Sequence, residues 1–121
     1  MTTPEPDAIY EALAHLWVEA HADAWARYDT IAAYVDARTT REPWVRTDAH
    51  DALAAAATHA AHQLAGSLGT FGFPTGSEVA RMLERAIMTD SGDATTCAHL
   101  NELTRALAEI LATNAPSSTP A

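Results

Sequence analysis

The chain has 121 residues and a formal net charge of −9, with 48% hydrophobic and 19% charged residues, which fits one globular domain around one core. Its seven basic residues are all arginine, so it has no basic stripe for a nucleic acid or an anionic membrane and no lysine for a Walker-type phosphate loop. The single Cys97 excludes an internal disulfide framework and a multi-cysteine zinc site; with no signal-like start and no long apolar run, a soluble cytoplasmic protein is expected.

Residues 1–6, with Pro4 and Pro6, read as a flexible segment. Ile9, Leu13, Leu16, Ala20, Ala24, Tyr28, Ile31 and Val35 then recur at steps of three or four and predict a long amphipathic helix over residues 7–37. The stretch Thr39 to Pro43 breaks the pattern, and Trp44 and Val45 are expected to cover one end of the core. A second helix is predicted from Thr47 or Asp48 to Phe71 or Gly72, with Ala49, Leu53, Ala56, Ala60, Leu64, Leu68 and Phe71 inward. Gly72 and Pro74 stop it, and Thr75 with Glu78 reads as a capping box for a third helix. That helix turns Val79, Leu83, Ala86 and Ile87 inward and ends near Met88. Thr89 to Asp93 form a turn before a fourth helix, which buries Leu100, Leu103, Leu107, Ile110 and Leu111. Residues 114–121 are polar and proline-rich, the composition of a disordered tail. The expected fold is all-α, an antiparallel up-down-up-down four-helix bundle over residues 7–113.

Function has to come from what the bundle leaves outside. At 100° per residue His62 points about 160° away from Ala60 and Leu64. Its expected neighbours on that outer face are Ala55, Thr58, Ala65, Gly66 and Gly69, all small and none charged. An ordinary bundle helix carries charged residues there, and a helical glycine costs about 1 kcal/mol relative to alanine. Small residues around an imidazole clear space for a partner or for a bulky group on the ring. An alanine-rich helix also carries small residues by chance, and Gly66 would then serve only close helix packing.

The run His62-Gln63-Leu64-Ala65-Gly66-Ser67-Leu68-Gly69-Thr70-Phe71-Gly72, followed by Val79-Ala80-Arg81-Met82-Leu83-Glu84, resembles the signature of histidine-containing phosphotransfer (HPt) domains. That signature joins a histidine, a glycine four residues on, a second glycine ten residues on, and an Ala-Arg-x-x-Glu element on the next helix. The resemblance spans about thirty residues and implies a four-helix bundle. It implies His62 as phosphoryl acceptor, Gly66 as room for the phosphorylated ring, and Glu84 as the carboxylate that orients the imidazole. A carboxylate accepting from Nδ1–H leaves Nε2 with its lone pair free as nucleophile. Ala55, Thr58, His59, Ala65, Gly69 and Arg81 would line the docking face. Where the family usually has a basic residue three positions after the histidine, this chain has Ala65; Arg81 is the first candidate to replace its charge and Arg85 the second.

The implied activity is relay of a phosphoryl group to or from the aspartate of a response-regulator receiver domain in a two-component phosphorelay. The partners would be that receiver and a histidine kinase or hybrid kinase. The chain would be a phosphocarrier rather than an enzyme, binding no cofactor of its own, with Mg²⁺ on the receiver. The rival reading is a helical docking or scaffold module that binds a receiver or kinase without carrying phosphate. His59 and His62 stand three apart on one helix, but no spacing supplies converging further ligands, so no metal site is expected.

Overall fold

A computed structural model describes residues 6–40 and 46–116; the roles expected for residues 1–5, Trp44 and Val45, and 117–121 lie outside the described residues. Among these the chain is all-helical: α1 (Pro6–Thr40), α2 (Asp48–Thr70), α3 (Pro74–Met88) and α4 (Ala94–Thr113), with no strand. α1 and α3 each pack against both α2 and α4, so four helix pairs enclose one core.

α1 buries Trp17, Ala24, Ile31, Tyr34 and Val35, but the expected core positions Ile9, Leu13 and Leu16 are 52%, 43% and 56% exposed. Thirty-five residues span about 52 Å at 1.5 Å per residue, against about 30 Å for the twenty of α4. The turns before Trp17 therefore run past the helix they would need to cover them. At its other end α1 outlasts the predicted boundary, where the hydroxyls of Thr39 and Thr40 donate to the carbonyls of Val35 and Asp36.

Thr47 caps α2 by accepting from the His50 N–H at 3.1 Å. The buried face of α2 comprises Ala57, Ala60, Ala61, Leu64, Ala65 and Leu68, a wider arc than one stripe because α2 packs on both α1 and α3. Ala49, Leu53 and Ala56, expected inward, are exposed. At the C-terminus the Phe73 N–H donates to the Leu68 carbonyl at 2.8 Å and the Gly72 N–H to the Gly69 carbonyl at 3.2 Å. Gly72 has φ +82°, so this is a Schellman turn with glycine in the left-handed position it requires. Phe71 and Phe73 then pack on Trp17, with ring centroids 5.1 and 4.7 Å away.

The predicted capping box of Thr75 and Glu78 is not formed. α3 starts directly from the turn, with Phe73 at the N-cap, no side-chain cap and Pro74 in the first helical turn. Proline lacks one of the N–H groups a cap would satisfy and its φ suits that position. Gly76 lets this end come close: a Cβ there would stand 3.0 Å from Leu68 Cδ1 and 3.1 Å from Ile110 Cγ2.

The α3–α4 connection is tied to α1 by a buried ionic cluster. Arg38 Nε donates to Asp90 Oδ2 at 2.9 Å, Arg38 Nη2 to the Asp93 carbonyl at 2.8 Å, and Tyr34 Oη to Asp90 Oδ2 at 2.7 Å. Arg38 and Asp90 are only 5% and 1% exposed. Burial alone would raise the Asp90 carboxyl, but hydrogen bonds from Tyr34, the Gly92 N–H and Arg38, with the Arg38 charge, hold it below its ordinary 3.8. Burial, and then the bond to Asp90, push the Tyr34 hydroxyl up. Asp93 caps α4 through the Thr96 N–H at 3.3 Å, and Leu100, Leu103, Leu107 and Leu111 fill the core. Asn114, read from sequence as the head of the tail, instead closes α4: its carbonyl accepts from Trp17 Nε1 at 2.7 Å and its amide donates to the Ile110 carbonyl at 2.8 Å.

Candidate functional site

α2 and α3 form the most closely packed helix pair, and the site lies on its outer edge. The approach of the two helices is fixed from within, where the buried Ser77 Oγ donates to the Ala65 carbonyl at 2.8 Å. Three residues back along α2 stands His62, 72% exposed. Glu84 follows the fully buried Leu83 on α3, which holds it at the rim with its side chain 25% exposed. His62 Nδ1 and Glu84 Oε2 are 3.0 Å apart. An ionised carboxylate only accepts, so Nδ1 carries the hydrogen in this contact. In a neutral ring that leaves Nε2 unprotonated, on the side away from Glu84 and open to solvent.

An open cavity of about 490 Å³ adjoins the pair, lined by His62, Ala65 and Gly66 from α2 and by Arg81, Glu84, Arg85 and Met88 from α3. The structure thus brings His62, Glu84, Gly66, Ala65 and Arg81 together. A Cβ at Gly66 would meet nothing within 4 Å, so neither backbone conformation nor packing in the free protein demands glycine there. Arg81 is 60% exposed and 3.9 Å from Glu78, a loose surface pair worth little.

The expected bare outer face is only partly realised. Ala65 is not on it: at 4% exposure it belongs to the α2–α3 interface and shows the cavity only its edge. Gly69 is exposed as expected, though a Cβ there would lie 3.4 Å from Ser77 Oγ of α3. Thr58 is half-buried and donates to the Ala54 carbonyl at 2.8 Å, which leaves Ala55, Gly66 and Gly69 as exposed small residues. His59 does not join the cavity. It lines a separate shallow groove between α1 and α2 with Asp23, Arg27 and Gln63, where Arg27 Nε donates to Gln63 Oε1 at 3.2 Å.

Sequence reasoning missed Ser77 and Met88. Ser77 gave no signal, because a hydroxyl inside a helix reads as solvated. Met88, 68% exposed, was readable as an apolar residue one turn beyond Glu84. Among the described residues no group of three or more His, Cys, Asp or Glu is placed to hold a metal ion, and no helix is long and apolar enough to cross a membrane.

No curated protein and no solved structure gives a match to this chain. The family model described as "Hpt domain" matches residues 32–113, from the last turns of α1 to the end of α4. Hpt domains are phosphocarriers that take part in histidine phosphotransfer in phosphorelays, interacting with receiver domains and kinases. With four packed helices and a match over more than half its length, the chain belongs to the Hpt domain family.

Proposed function

We propose that this chain is a phosphorelay intermediate in which His62 takes a phosphoryl group from, or gives it to, the aspartate of a response-regulator receiver domain in the cytoplasm, with a histidine kinase or hybrid kinase upstream. The observation that carries this reading is the 3.0 Å contact between His62 Nδ1 and Glu84 Oε2 on a ring that is otherwise exposed. It leaves the attacking nitrogen unblocked and orients the ring from behind. In transfer toward this chain a bond forms between Nε2 and phosphorus while the acyl-phosphate P–O bond breaks. The receiver's aspartate leaves as a carboxylate. The Nδ1 hydrogen stays on the ring, now cationic, and the Glu84 carboxylate accepting it offsets that charge. The chain contributes position, tautomer and access; the receiver contributes its Mg²⁺.

The helices in this reading run up-down-up-down. Supporting that topology, Trp17, about a third of the way along α1, reaches Asn114 at the end of α4, while Tyr34 and Arg38 near the end of α1 reach Asp90 between α3 and α4. Ala55, Thr58, His59, Gly66 and Gly69 are proposed to border the docking surface of the receiver.

The test is incubation of the purified chain with a receiver domain carrying labelled aspartyl phosphate. Acid-labile, alkali-stable label is expected on the parent and absent from His62→Gln, whose helical CD and melting stay near parent because the side chain is exposed. Label retained in His62→Gln overturns the assignment of the acceptor. A parent that binds the receiver and takes no label is a docking module instead.

A further inference from the structure

We infer that the positive charge which holds the phosphoryl group has moved from α2 to α3 in this chain, where Arg85, backed by Arg81, forms the phosphoryl-binding side of the cavity; this rests on the His62 reading above. Arg81, Glu84, Arg85 and Met88 are spaced at three, four and seven positions along α3 and therefore share one helix face. That face lines the cavity beside His62. Among the described residues Arg81 and Arg85 are the two cations that line it.

The two arginines differ in availability. Arg81 already lies 3.9 Å from Glu78. The Arg85 side chain has no hydrogen bond or ion pair among the described residues, so its guanidinium can turn to an incoming anion without breaking a contact. Of the other described arginines, Arg27 is engaged by Gln63, Arg38 is buried against Asp90, Arg46 pairs with Asp51, and Arg105 lies on α4, which does not line the cavity.

Charge counting around the ring favours such a cation. A phosphoryl group brings about two negative charges at neutral pH to a ring already contacted by the Glu84 carboxylate, on a chain whose net charge is −9. With the ring cationic, two arginines bring the site to balance; without them it is strongly negative. Position 65 does not supply the charge, and it shapes the space instead. Ala65 is 4% exposed and shows the cavity only its edge, and a Cβ at Gly66 would find open space.

The experiment is the position of the transfer equilibrium between labelled receiver and chain, read in the parent, Arg81→Ala, Arg85→Ala, the double variant and Arg85→Lys, each at low and at 1 M salt. At low salt Arg85→Ala is expected to shift the equilibrium toward the receiver about two- to fivefold, Arg81→Ala by less, and the double variant by about tenfold, as partly exposed charge pairs allow. Arg85→Lys recovers most of the loss. At 1 M salt, where screening acts over about 3 Å, the differences shrink. A merely structural role would not produce this salt dependence or the lysine rescue. A double variant within twofold of the parent, or a shift equally large at both salt concentrations, overturns the inference while leaving His62 as acceptor. Label that survives in His62→Gln, or a parent that takes none, overturns the functional reading and this inference with it.

Discussion

The two glycines of the motif, Gly66 and Gly72, should respond to substitution with opposite signs. Gly66 lies inside α2 with open space where its Cβ would be, so Gly66→Ala removes only the helix-propensity penalty, a gain of about 1 kcal/mol. With an unfolding entropy of about 2.1 cal/mol/K per residue, a chain of this length changes Tm by about 4 °C per kcal/mol, and Gly66→Ala should melt about 4 °C higher. Gly66→Gln should gain slightly less. Gly72 has φ +82° in the Schellman turn, and Gly72→Ala should lose about 1–2 kcal/mol, a fall of about 4–8 °C. Transfer should follow the reverse order. Gly66→Gln fills the approach to Nε2 and should slow transfer from a phosphorylated receiver at least tenfold; Gly72→Ala, assayed below its Tm, should transfer at close to the parent rate. Thermal melts followed by CD and rapid-quench transfer assays on the same preparations give both quantities. A Gly66→Gln protein that transfers at the parent rate would refute clearance as the function of Gly66, and one that melts below the parent would refute the open space.

Other outcomes follow from the same contacts. Glu84→Ala should slow transfer about three- to fivefold without abolishing it, because one partly exposed hydrogen bond biases the tautomer while the nucleophile stays in place; ¹⁵N shifts of the His62 ring should show the loss of bias, and an unchanged tautomer ratio would remove Glu84 from its role. Asp90→Ala removes the buried carboxylate that pairs with Arg38 and accepts from the Tyr34 hydroxyl; the expected loss is about 3–5 kcal/mol, and a denaturant-unfolding loss below about 1 kcal/mol would contradict the cluster. Because the Asp90 carboxyl is held below 3.8 in the folded state, its contribution is complete above that pH and is lost as pH falls through the lowered value. The parent should lose stability there more steeply than Asp90→Asn, as Tm against pH will show.

The His62–Glu84 pair was legible because both residues are rim positions of amphipathic helices and the motif gave their spacing. The error at Ala65 has a definite cause. A helix wheel drawn around Ala60 and Leu64 assumes one buried stripe, and alanine is small enough to sit on either side of its edge; only the double contact of α2 with α1 and α3 shows how far the buried arc extends. Ile9, Leu13 and Leu16 illustrate a second limit, since periodicity identifies an apolar face but not where the neighbouring helices stop. The Arg38–Asp90 pair spans 52 positions and each partner alone reads as a surface charge, so only the tertiary structure could join them. The same is true of Ser77, whose acceptor is a backbone carbonyl twelve residues earlier.

The turn at Gly72 also acts as a ruler. Contacts pair Leu68 with Gly76, Ala65 with Ser77 and His62 with Glu84 across it. His62 is ten residues before Gly72 and Glu84 is ten past Pro74, so each stands about 15 Å along its helix from the bend. Adding or removing one residue within α2 after His62, or within α3 before Glu84, would swing one partner by about 100° around its axis and separate the imidazole from its carboxylate, even in a sequence that still folds into four helices. A change of length between α1 and α2 would leave that register intact. Related chains should therefore tolerate length variation outside this hairpin far better than within it, and the interval of 22 residues records a mechanical constraint rather than a chemical one.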